Sequence, residues 1–266
     1  MQAVSHSILF REFPLDKLDA ISDAVAGLYK IPAYDARTKV RHGWGFLERD
    51  LPGEEAQRIS NALTGLGIAA VTVPTAALIH PPRPEVMVGF QPEPEGFIPQ
   101  LQSPKARPHP IAWSDVSILA AGGFTEEIVR RDTANAGKSG KEQLIGLGKF
   151  LVTGIPSGLF GSKKKEPTSV KTNRLITFAQ ILTVQGESFH MDPEHFDFTG
   201  LGKRKQVNAS LNFRTLIAEF ARLTTARLNL GARHVLGNQS MTLANYHSLR
   251  DFETELLWLV NTSATS

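Results

Sequence analysis

The sequence contains no cysteine, and this absence excludes disulfide bonds, cysteine nucleophiles and thiolate metal sites. A long hydrophobic run is also lacking. The longest, residues 144–160, includes Lys149, Pro156 and four glycines, whereas a membrane-spanning helix needs about 20 mainly apolar residues. The first residues lack a basic segment followed by an apolar one, so we expect no secretory signal and a cytoplasmic location.

Familiar catalytic motifs are missing as well. The sequence has no GxSxG nucleophile elbow, no HExxH zinc motif and no dinucleotide-binding GxGxxG after a predicted strand. Residues 137–141 read Gly-Lys-Ser-Gly-Lys, but the upstream glycine of a phosphate-binding P-loop is absent. We therefore expect a protein without enzymatic activity and without a cofactor.

The net charge is only +3, and the positive charge is concentrated in one segment. Residues 130–174 contain ten Lys or Arg and three Asp or Glu, a local charge of +7, which leaves −4 for the rest of the chain. The segment lacks the interleaved aromatic residues on which single-strand binders stack bases. An anionic partner of this segment is therefore expected to be something other than nucleic acid.

Residues 5–74 show a regular hydrophobic pattern. Leu18, Ile21, Val25 and Leu28 are spaced three, four and three apart, as one face of a helix requires. Together with Pro32, which suits the first turn of a helix, the pattern predicts the order strand, helix, short helix, strand, helix, strand.

The stretch LYKIPAYDARTKVRHGWGFLERDLPGEEAQRISNALTGLGIAAVTVP (residues 28–74) resembles the C-terminal domain of the bacterial ribosomal stalk protein. The shared features are the element order, an alanine-containing short helix, a third helix that begins with Glu-Glu-Ala, and a closing strand. In that family, basic residues on the early helices recruit translational GTPases. Here residues 15–29 contain one lysine and three aspartates, so the resemblance implies the fold of residues 1–78 without that recruitment.

Proline is frequent in residues 79–110, which predicts an extended, semi-rigid linker. Within it, residues 85–90 are able to form a short strand. We expect a second domain over residues 111–266, interrupted by a flexible basic insertion at residues 132–172, where glycine, proline and polar residues are frequent.

The second domain resembles bacterial pleckstrin-homology-like domains. The resemblance rests on an Ile-x-Trp-x-Asp-Val segment at residues 111–116, a hairpin at residues 174–191 that turns at Gln185-Gly186, and an amphipathic helix at residues 211–223. It implies a mostly antiparallel sheet closed by C-terminal helices. The predicted fold class is therefore α+β, a three-stranded βααβαβ module followed by this sheet domain.

Two histidines and three carboxylates lie within eight residues, 190–197, at the end of the hairpin. His190 and Asp192 lie on one face of the predicted strand, and His195 with Asp197 repeats the spacing beyond Pro193. These residue types bind divalent metals, which predicts a metal site. The alternative is a polar edge strand and turn in which Asp192 and Asp197 accept hydrogen bonds from backbone amides.

Two basic, glycine-containing segments are candidates for binding an anion or a partner. Glycines let backbone amides approach an anion, and neighbouring cations supply charge. The alternatives are solvated basic loops, with residues 144–160 buried in the core or an interface. The candidate residues are Lys163, Lys164, Lys165, Lys203, Arg204 and Lys205.

These patterns predict a non-enzymatic interaction or regulatory protein of bacterial type that binds another protein. One alternative is peripheral attachment to an anionic membrane surface through residues 144–165, because lysines beside an apolar run are attracted to anionic lipids. Another is a metal-dependent activity at His190, Asp192, His195 and Asp197.

Overall fold

The computed structural model describes residues 4–103, 108–131, 169–239 and 246–263. The described chain mixes helices and strands, which confirms the predicted α+β class. Contacts divide the chain into a main unit, residues 1–125 and 175–266, and a small unit, residues 126–174. Of the small unit, the structure describes only the strand residues 126–131 and 169–174.

The first sheet of the main unit has three antiparallel strands in the order β2-β1-β3. Its strands are β1 (Ser5–Phe10), β2 (Phe46–Pro52) and β3 (Ala70–Pro74). Its helices are α1 (Leu18–Tyr29), α2 (Ala33–His42) and α3 (Gly53–Gly65), with a short 3-10 helix at Pro14–Lys17. The element order predicted for residues 5–74 is thus confirmed.

Strand β1 is buried on both faces, because successive side chains of a strand point to opposite sides. Ile8 and Phe10 join the core under α1, α2 and α3, whereas Leu9 joins a different core cluster on the other side of the sheet. This explains the uninterrupted apolar run Ile-Leu-Phe, which is typical of a doubly covered strand. The small sheet therefore needs a second covering layer from elsewhere in the chain.

The second sheet has seven strands in the order β10-β7-β8-β9-β4-β5-β6. They are β4 (Glu85–Glu93), β5 (Gly96–Leu101), β6 (Ile111–Ala112), β7 (Val116–Arg131), β8 (Ser169–Thr183), β9 (Ser188–Met191) and β10 (Arg227–Leu228). The pairs β4–β5, β5–β6 and β8–β9 are antiparallel, but β4–β9 and β7–β10 are parallel. The sheet is therefore mixed, and its topology includes parallel pairs in addition to hairpins between strands that are consecutive in the chain.

The stretch predicted as a linker, residues 79–110, contributes two strands to this sheet. β4 and β5 form a hairpin whose apolar residues Met87, Phe90 and Phe97 are buried. Pro94 lies in the turn between the strands, where its fixed φ is tolerated. Pro92 lies within β4 and Pro99 within β5, and the remaining prolines precede β4 or follow β5. The strand expected within residues 85–90 is therefore confirmed, and β5 is a second strand that the linker prediction did not include.

The predicted hairpin and helix after the insertion are confirmed. The turn between β8 and β9 contains Gly186 with φ +83°, and helix α4 (Ala209–Leu223) begins after Asn208, whose side chain accepts a hydrogen bond from the Leu211 amide. Beyond α4, β10 is followed by a short helix, α5 (Leu230–Leu236), capped by Asn229.

The last helix, α6 (Leu249–Ser263), lies between the two sheets. Its residues Phe252 and Trp258 belong to one core cluster with Leu9 and Phe46 of the small sheet and Phe178 of the large one. The Trp258 indole nitrogen also donates a hydrogen bond to the Phe10 carbonyl, at 2.6 Å. α6 therefore provides the covering layer that the small sheet needs, and the predicted domain boundaries near residues 78 and 110 both lie within the main unit.

No helix in the described ranges is long and apolar enough to cross a bilayer. The predicted basic insertion, apart from strand residues 169–172, lies outside the described residues.

Candidate functional site

The four residues predicted to bind a metal are placed in two separate arrangements. The Asp192 carboxylate is 2.7 Å from His195 Nδ1 and also accepts a hydrogen bond from the Glu194 amide. Asp197 accepts hydrogen bonds from the amide and the hydroxyl of Thr199, which hold the pKa of its carboxyl below the usual value, helped by the charge of Lys205. In the described part of the chain, no three His, Asp or Glu side chains come together as a metal site.

The hydrogen bonds of Asp192 and Asp197 are those of the turn that was considered as the alternative to a metal site. His190 points elsewhere. Its ring stacks on Phe178, with centroids 5.7 Å apart, and it borders a cleft described below.

The predicted basic residues 203–205 are exposed and lie at the end of a short 3-10 helix, Phe198–Arg204, with Lys205 as its C-cap. Arg204 forms an ion pair with Glu219 of α4, so one of the three cations already has a carboxylate partner. Lys163, Lys164 and Lys165 lie outside the described residues. The structure therefore adds no geometry for an anion site that combines the two segments.

A cleft of about 500 Å³ lies at the N-terminal end of α6 and is lined by residues from four parts of the main unit. These parts are β2, the segment before β4, the β8–β9 hairpin and α6. The polar lining residues are Arg49, His80, Arg83, Gln180, His190, Arg250, Glu253 and Thr254. The volume falls within the range of roughly 300–1,000 Å³ that is typical of small-molecule sites.

Arg49 is positioned by the strand that carries it. Its guanidinium lies 3.9 Å from the centroid of the Phe46 ring, a cation–π contact that restrains the side chain. Partial burial lowers the pKa of Arg49, and the charge of Arg250 lowers it further. The fold thus brings two arginines from opposite ends of the chain close enough to repel each other.

The segment that contains His80 and Arg83 is held at both ends. The side-chain amide of Asn261 in α6 accepts from the Ile79 amide at 2.8 Å and donates to the Ile79 carbonyl at 2.9 Å. Residue 85 begins β4. The prolines between these points restrict φ, so the cleft wall is rigid before any ligand binds.

The floor of the cleft is polar and largely buried. Gln180 lies opposite His190 in the β8–β9 pairing and donates a hydrogen bond to Ser188 at 2.8 Å. Burial lowers the pKa of His190, although the carboxylate of Asp192 opposes this shift. At neutral pH the imidazole is therefore uncharged, with a ring nitrogen able to donate or accept a hydrogen bond.

Within the part of the chain that the structure describes, the arginines of the cleft form no ion pair with a carboxylate. Among the ion pairs of the described residues, none involves Arg49, Arg83 or Arg250. With both histidines counted as neutral, three arginines and Glu253 give the lining a charge of +2. Uncompensated guanidinium groups around a concave surface favour an anionic ligand.

Of these lining residues, only His190 was a candidate from the sequence, where it was predicted to bind a metal. No local pattern indicates that Arg49 of β2 and Arg250 at the start of α6 line the same cleft. The one local signal was His80-Pro-Pro-Arg-Pro, a basic segment stiffened by proline immediately before a strand.

Comparisons with protein-family models, with curated proteins and with solved structures gave no significant match.

Proposed function

We propose that this chain is a non-enzymatic interaction or regulatory protein of bacterial type that acts by binding an anionic ligand in the cleft. The observation that carries the proposal is the group of three arginines without carboxylate partners around a rigid, concave surface. Guanidinium groups form strong, directional hydrogen bonds with anions. A rigid wall lowers the entropy cost of binding.

The stalk-like character of residues 1–78 and the pleckstrin-homology-like character of the second sheet are parts of the same proposal. The element order of the first sheet and the β8–β9 hairpin with α4 support them. In this view the two sheets are a scaffold, and the ligand-dependent surface lies where α6 joins them.

Thermal unfolding in the presence of multivalent anions tests the proposal. Phosphate, sulfate and citrate are compared at matched ionic strength with sodium chloride as the reference. At ten times its dissociation constant, a bound anion stabilises the fold by about 1.4 kcal/mol, which raises Tm by about 4 °C. We expect at least one of the three anions to produce this rise.

The control variants remove equal charge at different places. Arg49→Gln and Arg250→Gln each abolish the rise in Tm, whereas Arg58→Gln, on the exposed side of α3, leaves it unchanged. If no anion raises Tm, or if all three variants respond like the unmodified chain, the proposal is wrong.

Attachment to anionic membranes through residues 144–165 stays a separate proposal, because those residues lie outside the described ranges. Flotation with vesicles that contain anionic lipid at low salt tests it. A metal-dependent activity at His190, Asp192, His195 and Asp197 is not supported by the separate placement of these side chains.

A further inference from the structure

We infer that the ligand of the cleft is a small phosphate monoester whose phosphate lies between Arg49 and Arg250 and whose body is compact and apolar. The inference rests on the proposed function and deepens it by naming the chemical class of the ligand. Three features of the cleft carry it: its charge, the adjacency of two arginines, and an apolar wall beside them.

The charge of the lining distinguishes a phosphate monoester from a simple carboxylate. Three arginines and one glutamate leave +2 with neutral histidines. A phosphate monoester carries a charge of about −1.5 to −2 at pH 7 and therefore neutralises the lining, whereas a monocarboxylate leaves about half of the charge uncompensated.

The adjacency of Arg49 and Arg250 matches a ligand with several acceptor oxygens on one atom. Each guanidinium presents a planar set of N–H donors that binds phosphate oxygens in pairs. Both arginines line the same cleft, and the repulsion between their charges is relieved when both side chains contact one dianion. A second hollow of about 320 Å³ is also lined by both arginines and by Thr254. The two guanidinium groups are therefore accessible to a ligand from either hollow.

The apolar wall determines which kind of chemical group the phosphate is attached to. The proline segment faces the start of α6, where Leu249 is 45% exposed although it is large and apolar. The apolar lining residues are Pro81, Pro82, Pro84, Leu249, Leu256 and Leu257. A flat aromatic or aliphatic body that covers this wall removes apolar surface from water, which a sugar phosphate does less well.

Isothermal titration calorimetry with matched probes tests the inference. The probes are phenyl phosphate, inorganic phosphate, glucose 6-phosphate, benzoate and citrate. We expect phenyl phosphate to bind at least tenfold more tightly than inorganic phosphate, glucose 6-phosphate or benzoate. Arg49→Gln and Arg250→Gln each weaken phenyl phosphate binding at least tenfold, and Arg58→Gln does not.

Shortening Leu249 tests the contribution of the ligand's apolar body to affinity separately from that of its phosphate. Leu249→Ala is expected to lower affinity for phenyl phosphate about threefold or more and to leave inorganic phosphate unaffected, because it removes only apolar contact. Equal affinity for phenyl phosphate and inorganic phosphate overturns the inference that the ligand has an apolar body. Binding of citrate or benzoate without binding of any phosphate overturns the inference while the proposed function stands, and absence of binding by all five probes overturns both.

Discussion

Replacement of Gly45 by alanine is expected to lower the free energy of unfolding by roughly 4 kcal/mol, through backbone strain and overpacking together. Gly45 has a φ of +95°, a conformation that alanine adopts only with strain. A Cβ atom at this position lies 2.1 Å from Cγ of Trp258. The indole cannot move cheaply, because it is buried and hydrogen-bonded to Phe10.

The control for this prediction is Gly67→Ala. Gly67 also has a positive φ, +77°, but a Cβ atom there meets nothing within 4 Å, so only the backbone strain of about 1 kcal/mol remains. Urea unfolding of both variants measures the difference. The Trp258→Leu background should reduce the cost of Gly45→Ala, and equal losses for Gly45→Ala and Gly67→Ala would contradict the close packing of α6 on the small sheet.

Stability is also expected to fall by about 3 kcal/mol as the pH rises from about 4.5 to above 7, because Glu255 titrates in this range. Glu255 of α6 is fully buried, and burial raises the pKa of its carboxyl to about 7, although the Tyr246 hydroxyl opposes the shift. Between the unfolded pKa near 4.5 and this value, the folded chain binds more protons than the unfolded chain. Folding is therefore favoured at the lower pH.

The groups around Glu255 define the matched variants. Its Oε1 accepts from the Leu230 amide at 2.8 Å, its Oε2 accepts from the Tyr246 hydroxyl, and Arg233 is the cation that acts on it. Glu255→Gln keeps the shape but does not titrate, so we expect it to lose about 3 kcal/mol of pH dependence between pH 5 and pH 8. Glu253→Gln, exposed on the same helix, keeps the original dependence. Identical slopes for the Glu255 variant and the unmodified chain would contradict this assignment.

Local sequence patterns were sufficient to predict those elements whose structure is determined by residues close together in the chain. The periodicity of α1, the proline before α2 and the glycine in the β8–β9 turn each determine structure over a few residues. The same patterns missed β5 at residues 96–101, where proline frequency outweighed the apolar Phe97, which is buried in the structure. Whether a proline interrupts a strand depends on its position in the pairing, and a composition count does not contain that information.

The cleft was not predictable for a related reason. Arg49 and Arg250 belong to elements that the sequence predicted correctly, but their proximity depends on α6 packing between both sheets. That packing depends on contacts between residues that are far apart in the sequence, and several apolar faces of the chain are able to form such contacts. The uninterrupted apolar run of β1 was the one sequence signal that the small sheet required a cover on its second face.

The most direct test of the cleft as an anion site is an NMR titration that follows the arginine Nε–Hε resonances with phenyl phosphate. Arg49→Lys and Arg250→Lys variants assign the two signals. We predict that both shift together with a single dissociation constant, while the signal of Arg58 stays in place. If the Arg49 and Arg250 signals remain unchanged at saturating ligand, or move no more than that of Arg58, the cleft does not bind the anion.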